Sequence, residues 1–286
     1  MKPSVEILSP GLYTSIQDRG RVGYRKFGVP TSGAMDRLSA GMANRLLNNQ
    51  IDDPVMEITL SGPKLRFSAK ALIAIAGADL SPQLNHQSIN TGTAYHVAAG
   101  DVISFGEAKL GARCYLAVKG GFLAKSILNS ASFYKAITGK DRFQKGDKIP
   151  IPEYEHDTAS SNASLRTEKD LFTTREIECT PGPEFEMLNH QDSEKIFSQE
   201  FAIAPDNNRM GYRLLSEPLQ YPSDFSMLTS AVLPGTIQLT PSGQLLALMQ
   251  DCQTTGGYPR ILQLTFRGIN CLAQKRSGDR FQFVPI

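Results

Sequence analysis

Short strand-like segments, each ended by glycine, proline, asparagine or serine, follow one another along most of this sequence. Their close spacing leaves no room for a helix after each strand, so the pattern predicts antiparallel pairing rather than alternating strands and helices. Closed barrels are the usual way to hide the edges of so many strands, and we therefore predict a mostly β protein built from barrels. The segments are residues 57–61, 64–68, 71–76, 94–98, 101–105, 114–118, 236–240, 244–249, 260–266 and 279–284.

One segment has the pattern of an amphipathic helix. Apolar side chains recur there with a period of 3.6 residues, and Asn48-Asn49 follows as a stop signal. The pattern predicts a helix over about residues 35–48. Weaker helical patterns occur near residues 192–199 and 269–275, so the fold class is mostly β with few short helices.

A polar stretch rich in serine, threonine and charge interrupts this pattern between Pro150 and Arg175. It lacks apolar periodicity, which is typical of a linker between domains. The sequence therefore predicts a first domain over residues 1–155, a linker over residues 156–174 and a second domain over residues 175–286.

Three pairs of similar segments occur in the same order in the two halves. The first pair is identical at five of eight positions. Colinear similarity of this kind predicts two related β-barrel domains that arose by duplication. The pairs are residues 18–25 with 206–213, 58–65 with 237–245, and 100–105 with 278–283.

Composition excludes several classes of protein. Lys+Arg 30 against Asp+Glu 28 gives a formal net charge of +2 over 286 residues, which argues against nucleic-acid binding because that needs clustered positive charge. The apolar run at residues 71–78 is too short to span a bilayer, and the N-terminal segment lacks the apolar core of a signal peptide. The four cysteines form no CxxC pair, and no histidine lies at metal-ligand spacing. We expect a cytoplasmic protein with reduced thiols, no bound metal and no contact with membranes.

A glycine-punctuated segment over residues 14–36 concentrates residue types that bind anions. Arg21, Tyr24 and Arg25 lie within five residues, a spacing that can form a fork for a carboxylate or phosphate. Alternatively, arginine–aspartate pairs hold a purely structural loop whose glycines only supply positive φ. The residue chemistry supports both interpretations equally. The candidate residues are Asp18, Arg21, Tyr24, Arg25, Ser32, Gly33 and Asp36.

A second polar segment places adjacent hydroxyls before a Gly-Gly pair. Hydroxyls and backbone amides in such an arrangement can donate hydrogen bonds to an oxyanion. The simpler interpretation is a β-hairpin turn. The candidate residues are Gln253, Thr254, Thr255, Gly256, Gly257 and Tyr258, together with Arg209 from the repeat of the first segment.

Other polar residues have simpler interpretations. Asp79 follows a strand, where an Asx turn is commoner than a site acid. Glu57 is interpreted as a solvated charge at a strand edge, and Cys252 as a small buried hydrophobe. The signatures GxSxG, HExxH and GxxxxGK[ST] are absent from the sequence.

Long stretches of the chain resemble a single protein family, in the right order and over nearly the whole length. They include GLYTSIQDRGRVGYRKFGVPTSGAMDRLSAGMANRLL, MEITLSGPKLRF, NRMGYRL, PGTIQLTPSGQ and DCQTTGGYP. The family is that of the C subunit of bacterial ATP-dependent 5-oxoprolinase. Its members are also called KipA, allophanate hydrolase subunit 2 and biotin-dependent carboxyltransferase family protein.

The resemblance implies two cyclophilin-like β-barrel domains. It also implies two partners, a KipI-like B subunit and a LamB/YcsF-like A subunit, and the small-molecule substrate 5-oxoproline (pyroglutamate). The implied reaction opens 5-oxoproline to L-glutamate with hydrolysis of ATP. ATP is then bound mainly outside this chain, because the chain has no recognisable nucleotide loop, and no cofactor is attached covalently. A subunit of this kind is expected to be inactive alone.

Within this hypothesis the arginines hold the substrate carboxylate or a phosphorylated intermediate. The aspartates orient them or relay a proton, and the hydroxyls and glycine amides stabilise oxyanion charge. The two polar segments are then expected to meet at one cleft. The residues assigned to catalysis are Asp18, Arg21, Asp36, Thr254 and Thr255, and those assigned to substrate binding are Tyr24, Arg25, Ser32, Gly33, Asp79, Arg209, Gln253, Gly256, Gly257 and Tyr258.

The same family supports two alternatives. One is a KipA-type regulatory protein that binds and antagonises a KipI-like histidine-kinase inhibitor. The other is a carboxyltransferase component related to urea carboxylase, the one case in which biotin would take part. The chain departs from the family pattern at two positions, where Ala131 replaces an arginine and Ser230 a glutamate.

Overall fold

The computed structural model describes residues 2–155, 169–222 and 227–286. Most of the linker expected over residues 156–174 lies outside the described residues. Its described end is partly helical, because Asp170–Thr173 forms a short helix.

The chain divides into two compact units. The first unit contains Met1–Arg21 and Ser32–Lys169, and the second contains Val22–Thr31 and Asp170–Ile286. The segment Val22–Thr31 therefore groups with the second unit, although it lies inside the first domain expected from the sequence. The segment that carries the first set of candidate residues is thus divided between the two units.

The first unit is built mainly of strands. Its described strands are β1 (Ser4–Ser9), β2 (Tyr13–Gln17), β3 (Val55–Thr59), β4 (Lys64–Phe67), β5 (Ala71–Asp79), β6 (Gln83–Leu84), β7 (Gln87–Ser88), β8 (Ala94–Val97), β9 (Val102–Ser104), β10 (Leu110–Val118) and β11 (Lys148–Pro150). Its described helices are α1 (Arg37–Leu46) and α2 (Lys135–Thr138).

Hydrogen bonds join the described strands of this unit into two sheets. One has six strands in the order β11-β1-β4-β9-β6-β7, and the other has five in the order β2-β3-β10-β5-β8. Both sheets contribute to one core, in which Ile7 and Phe67 from the first sheet are buried together with Ile58 and Ile75 from the second. The described pairs are all antiparallel, as expected.

The closed barrel expected in the first half is wrong at the level of strand pairing. The chain passes from one sheet to the other at the connection from β3 to β4. Leu60 takes a left-handed φ of 59° after β3, and β4 then joins the other sheet. The first unit therefore has two open sheets packed around a common core in place of the expected closed barrel.

Helix α1 confirms the expected helix, with a start two residues later. Asp36 caps its N-terminus by accepting a hydrogen bond from the N–H of Ser39 at 3.0 Å, a role for which aspartate is well suited. Ala43 and Leu46 are buried against the five-stranded sheet. Beyond the helix, Asn48 has a φ of 51°, consistent with the predicted stop.

The described elements of the second unit include strands, helices and two 3-10 turns. The strands are β12 (Glu176–Pro181), β13 (Phe201–Ile203), β14 (Gly211–Leu215), β15 (Ser230–Ala231), β16 (Thr236–Leu239), β17 (Leu245–Leu248), β18 (Thr255–Gly256), β19 (Arg260–Leu264) and β20 (Arg280–Pro285). The helices are α3 (Asp170–Thr173), α4 (His190–Ser198) and α5 (Phe266–Ala273), and the 3-10 turns are Arg25–Phe27 and Phe185–Met187.

Seven of the described strands of the second unit form a closed barrel. Their order is β12-β19-β16-β17-β14-β13-β20, which confirms the barrel expected in this half. β12 and β20 close it by pairing in parallel, whereas the sequence suggested antiparallel pairs throughout. Phe201, Phe281 and Phe283 are buried and in mutual ring contact, with centroids 4.9–6.0 Å apart.

A small two-stranded ribbon, formed by β15 and β18, stands apart from the described barrel strands. The segments that flank it bury Val232 and Cys252 against Leu248 of β17. The ribbon and these flanking segments carry the second set of candidate residues.

The weaker helical patterns are also confirmed, because α4 and α5 occupy nearly the expected positions. Thr265 caps the N-terminus of α5, where its hydroxyl accepts a hydrogen bond from the N–H of Gly268 at 2.9 Å. Among the helices within the described ranges, none is long and apolar enough to cross a membrane.

Candidate functional site

The carboxylate of Asp18 connects two loops of the first unit. Its Oδ1 accepts hydrogen bonds from the hydroxyls of Ser130 and Ser132, both at 2.6 Å, and from the N–H of Gly20 at 2.7 Å. Its Oδ2 accepts from the N–H of Ala131 at 2.6 Å. Four neutral donors therefore surround this carboxylate, which fixes the loop after β2 against residues 130–132.

The neighbouring Arg21 strengthens the same connection. Its side chain is fully buried, and its Nη2 donates to the carbonyl of Ser132 at 2.5 Å. Ala131, which departs from the family pattern, packs its methyl group in the core of the first unit. The departure changes a side chain while the backbone N–H that binds Asp18 is retained.

The next candidate residues lie on a backbone that few residue types can adopt. Ser32 has a φ of 57° and Gly33 a φ of 92°. A Cβ at Gly33 would lie 2.9 Å from the carbonyl oxygens of Asp18 and Arg19, so glycine is required there. Ser32 is fully buried, and its hydroxyl has no hydrogen-bond partner among the described residues.

A buried chain of hydrogen bonds holds the end of this loop. Oε2 of Glu57 accepts from the N–H of Met35 at 2.7 Å and from the hydroxyl of Tyr115 at 2.8 Å. The Tyr115 oxygen in turn accepts from the N–H of Asp36 at 2.8 Å. Oδ2 of Asp36 accepts from the hydroxyl of Ser39 at 2.5 Å. The backbone of residues 35–36 is therefore bound by two side chains from β3 and β10.

The interpretation of Glu57 as a solvated edge charge is wrong. β3 lies between β2 and β10 in the sheet, so Glu57 is fully buried. Burial, together with the negative charges of Glu57 and Asp36, raises the pKa of Tyr115 well above its usual value, against an opposing effect of Arg113. Tyr115 consequently stays protonated and can donate to Glu57 at all ordinary pH values.

In the second unit, Arg25 connects residues from both candidate segments. Its Nη2 donates to the carbonyl of Val232 and, at 3.0 Å, to the carbonyl of Gln253. Its Nη1 is buried without a hydrogen-bond partner among the described residues. Tyr24 precedes it, at the start of the 3-10 turn, with its ring centroid 6.5 Å from that of Phe27. Arg25 and Gln253 are thus brought together within the second unit.

Cys252 lies beside this arginine and is fully buried. Burial raises the pKa of its thiol to about 11, although the nearby Arg25 guanidinium acts in the opposite direction. The thiol packs with Val232 and Leu248. Its interpretation as a small buried hydrophobe is therefore confirmed.

Arg209 is engaged with a carboxylate that the sequence did not single out. Its Nε lies 2.8 Å from Oδ2 of Asp251, and its Nη2 lies 3.1 Å from Oδ1. Both side chains are less than a tenth exposed, at 8% and 9%. The N–H of Asp251 also donates to the Arg209 carbonyl at 2.8 Å. This bidentate pair compensates both buried charges.

The ribbon contains the remaining hydroxyls of the second candidate segment. Thr255 and Gly256 form β18 and pair with Ser230 and Ala231 of β15, so the segment pairs with a distant strand rather than turning a hairpin. The carbonyl of Thr254 accepts from the N–H of Val232 at 3.1 Å. Ser230, the second departure from the family pattern, therefore lies directly opposite the candidate segment.

Gly256 and Gly257 occupy different environments. A Cβ at Gly256 would lie 2.6 Å from Nε2 of Gln238, whereas a Cβ at Gly257 would have nothing within 4 Å. That Nε2 donates to the carbonyl of Tyr258 at 3.3 Å. Oε1 of Gln238 is buried without a partner among the described residues, and the Tyr258 side chain is 42% exposed.

Asp79 has the geometry of an Asx turn. Its Oδ1 accepts a hydrogen bond from the N–H of Ser81 at 2.7 Å, and Ser81 has a φ of 50°. This is the simpler of the two interpretations that the sequence offered. The carboxylate helps the chain to leave β5.

The predicted site residues are distributed over both units. Asp18, Arg21, Ser32, Gly33, Asp36 and Asp79 belong to the first unit, and Tyr24, Arg25, Arg209, Gln253, Thr254, Thr255, Gly256, Gly257 and Tyr258 to the second. A single cleft that contains both segments stays a prediction.

Sequence reasoning missed several partners of these residues. Glu57 and Tyr115 were hidden because each lies within an apolar strand pattern, and Ser132 because it lies more than a hundred residues from Asp18. Asp251 directly precedes the second segment, which was the available signal. In the ranges that the structure describes, histidine, cysteine, aspartate and glutamate form no group that could hold a metal ion.

Comparison with known protein families identifies the class to which these two units correspond. A profile described as "Carboxyltransferase domain, subdomain A and B" matches residues 27–285. Since the match spans most of the chain, the chain belongs to this carboxyltransferase-domain family.

Individual relatives agree with that assignment. The C subunit of the 5-oxoprolinase of Escherichia coli (strain K12) is 32% identical, over 98% of this chain and 90% of that protein. The corresponding C subunit of Haemophilus influenzae is also 32% identical, over 99% of this chain and 91% of that protein. The crystal structure of K. lactis urea amidolyase superposes with a TM-score of 0.89 at 28% identity.

The relatives differ in how much of their own length this chain accounts for. The match to K. lactis urea amidolyase covers 100% of this chain but only 19% of that one. The chain is therefore related both to one portion of a larger enzyme and to a separate enzyme subunit. The resemblance found in the sequence motifs is confirmed at the level of the family.

Proposed function

We propose that this protein is the C subunit of an ATP-dependent 5-oxoprolinase, which opens 5-oxoproline to L-glutamate with hydrolysis of ATP. The observation that carries the proposal is the match to the E. coli protein, which extends over 98% of this chain and 90% of that protein. In urea amidolyase the matched portion is only 19% of the chain. The extent of the match favours the separate subunit.

The chemistry of lactam opening explains why such an enzyme needs several hydrogen-bond donors. A lactam is a poor electrophile, so transfer of the γ-phosphoryl group of ATP to its oxygen releases ADP and creates a leaving group. Water then adds to the carbon that carries the phosphorylated oxygen, and the C–N bond of the ring breaks with protonation of the nitrogen, which leaves an acyl phosphate. A second water hydrolyses this acyl phosphate to L-glutamate and inorganic phosphate. Positive charge and hydrogen-bond donors near the carboxylate and the phosphorylated oxygen stabilise these steps.

Of the three arginines considered, Arg25 is the best suited to hold an anionic substrate. Arg209 is engaged by Asp251 in a bidentate ion pair, and Arg21 donates to the Ser132 carbonyl in a fully buried position. Arg25 keeps one buried nitrogen, Nη1, without a partner among the described residues. Asp18 and Asp36 then act by holding loops rather than by transferring protons.

The proposal includes two partners, a KipI-like B subunit and a LamB/YcsF-like A subunit, with ATP bound mainly on those chains. The sequence has no GxxxxGK[ST] loop, and this supports the placement of ATP mainly on the partner chains. The proposal also includes a cytoplasmic location and a cyclophilin-like origin of both units by duplication.

Reconstitution tests the proposal. The purified chain is expected to release no glutamate from 5-oxoproline and ATP when alone, and to co-elute with its KipI-like partner. Activity is expected once the KipI-like and LamB/YcsF-like partners are both added. In that assembly Arg25→Ala is expected to lower turnover, whereas Arg213→Ala, at the repeated position in an exposed ion pair with Asp206, leaves it unchanged. Full turnover by the chain alone would contradict its assignment as one part of a larger enzyme.

A carboxyltransferase activity is the second candidate, and the family match together with the TM-score of 0.89 to urea amidolyase favours it. Biotin would supply a transferable carboxyl group when bound. Its ureido ring needs both a donor and an acceptor, and the Arg25 Nη1 and Gln238 Oε1 atoms are buried without partners among the described residues. These two residues would hold the ring.

Binding of a biotin analogue by the chain in complex with its KipI-like partner distinguishes the two activities. Binding that is lost in Gln238→Leu, without lactam-dependent ATP hydrolysis, would favour carboxyl transfer. Complex formation with neither activity would favour the regulatory, KipA-type role.

A further inference from the structure

We infer that Glu57 and Tyr115 are positioning residues, which hold residues 32–36 in a strained conformation so that the Ser32 hydroxyl pairs with a polar atom of the substrate. The identity of that substrate rests on the proposed function. The positioning itself rests on the geometry of the first unit.

The first argument is the cost of the two buried side chains. Glu57 is fully buried in the middle strand of three, at a position where an apolar side chain would stabilise the sheet more simply. Tyr115 is equally buried. Their hydrogen bonds go to the N–H groups of Met35 and Asp36, at 2.7 and 2.8 Å. This polar network therefore holds the backbone of the loop.

The second argument is the conformation that the network maintains. Ser32 and Gly33 take consecutive left-handed φ values of 57° and 92°. Such a backbone persists only when its surroundings determine it, and strained backbone concentrates at ligand-binding sites. The loop is fixed at one side by the hydrogen bond from Ala34 N–H to the Asp18 carbonyl, at 3.0 Å. Glu57 and Tyr115 fix its other side.

The third argument is the state of Ser32. Its hydroxyl is fully buried and has no partner among the described residues. Buried hydroxyls are normally paired, and an unpaired one needs an explanation. A carbonyl or carboxylate oxygen of a bound substrate would accept from it. The loop is thus pre-organised around a polar group that gains its partner when the ligand arrives.

Two variants test the positioning, with Tyr212→Phe as a matched control in which another fully buried tyrosine loses its hydroxyl. Amide hydrogen exchange at Met35 and Asp36 is measured in the whole chain. Tyr115→Phe is expected to accelerate exchange at Asp36 roughly tenfold or more. Glu57→Ala is expected to do the same at Met35, and Glu57→Gln, which keeps an acceptor, restores most of the protection. The control leaves both amides unchanged.

Kinetics of the assembled enzyme give the second measurement. Tyr115→Phe is expected to lower kcat about ten- to a hundredfold through misplacement of the loop, with KM changed by less than about threefold. Ser32→Ala is expected to lower kcat while the melting temperature stays level or rises, because an unpaired buried hydroxyl is removed.

Two results would overturn the inference. One is normal protection of Asp36 in Tyr115→Phe, and the other is a loss of kcat that follows only the folded fraction, as in the control. If the unmodified assembly shows no lactam-dependent ATP hydrolysis, the proposed function fails separately. The exchange measurements need no turnover and still decide the positioning.

Discussion

The segments DRGRVGYR and DNNRMGYR share five of eight letters and have different structures. In the first, residues 18–25, Gly23 has a φ of 91° and Arg25 begins a 3-10 turn. In the second, residues 206–213, the corresponding Gly-Tyr-Arg lies in strand β14.

The two buried arginines of these segments also differ in their partners. Arg21 donates to a neutral carbonyl of Ser132, whereas Arg209 forms a bidentate pair with the Asp251 carboxylate. The second arrangement compensates two buried charges at once. Identical residues in the two segments therefore indicate a related origin at most. The partners that surround each side chain decide what it contributes to stability.

The largest effect is expected for Arg209→Ala. It leaves the Asp251 carboxylate buried without its partner, which typically costs about 3–5 kcal/mol of unfolding free energy. The change is measured by denaturant unfolding. A double variant, Arg209→Leu with Asp251→Leu, is expected to recover much of the loss because no buried charge is left. A single variant as stable as the unmodified chain would show that the pair contributes nothing.

Arg21→Ala tests the first segment through turnover. Arg21 donates a hydrogen bond to the Ser132 carbonyl in a fully buried position, and loss of a hydrogen bond from a charged group costs about 1.5–3 kcal/mol of unfolding free energy. The melting temperature is therefore expected to fall, while turnover per folded molecule stays near normal. The fully buried side chain also contributes packing, and the melting temperature is measured in parallel. A roughly hundredfold loss of turnover per folded molecule at an unchanged melting temperature would contradict this structural role of Arg21.

The two glycines of the repeated segments form a smaller, matched test. Gly23→Ala places a side chain at a φ of 91°, with nothing within 4 Å of the new Cβ, and is expected to cost about 1–2 kcal/mol from backbone strain alone. Gly211→Ala has ordinary strand geometry, with the Ala247 carbonyl 3.1 Å from the new Cβ. It is expected to change stability by less than about 1 kcal/mol, since alanine suits a strand better than glycine. Equal losses would contradict the assigned backbone difference.

The smallest effect is expected for Arg213→Ala. Arg213 and Asp206 are 54% and 64% exposed, with 3.2 Å between their charged atoms, and such surface pairs contribute about 0–1 kcal/mol. The contribution of this pair to stability is measured by thermal unfolding at low and high salt. A loss as large as that of Arg209→Ala would remove the distinction between buried and exposed pairs on which the comparison depends.

Local sequence patterns predicted ten of the twenty described strands and three of the five described helices. The strand-like segments, helix α1 and the barrel of the second half follow from periodicity and from turn residues near in sequence. The third pair of similar segments shows a limit of this approach. Residues 98–101 and 276–279 form the same turn, in which a glycine has a left-handed φ of 92° or 85° and an aspartate Oδ2 accepts from the N–H three positions earlier.

Residues 144–147 form that turn a third time, with a φ of 86° and a hydrogen bond of 2.8 Å. Local physical chemistry is thus enough to produce the similarity, and no common origin is needed to explain it. The second pair also diverges, because β3 and β4 join different sheets while β16 and β17 pair directly.

The parts of the fold and of the candidate site that local patterns did not predict depend on contacts between residues distant in sequence. Strand β2 was missed because Thr14, Ser15 and Gln17 are polar, yet all three are fully buried beside β3. Glu57 was misjudged for the same reason, since a polar residue suggests exposure until its neighbours in the sheet are known. The candidate residues themselves were chosen by type and spacing, and the sequence did not indicate that Ser132 or Tyr115 would bind them.

The parallel pairing of β12 with β20 has a consequence for folding kinetics. The two strands lie about a hundred residues apart in sequence, so closing the barrel requires an unfavourable loss of chain entropy before any hydrogen bond between them forms. Contacts of such long range slow folding, and until they form, the edge of β12 away from β19 and the edge of β20 away from β13 remain unpaired. Nascent chains of the second unit would therefore be exposed to aggregation until synthesis has passed β20.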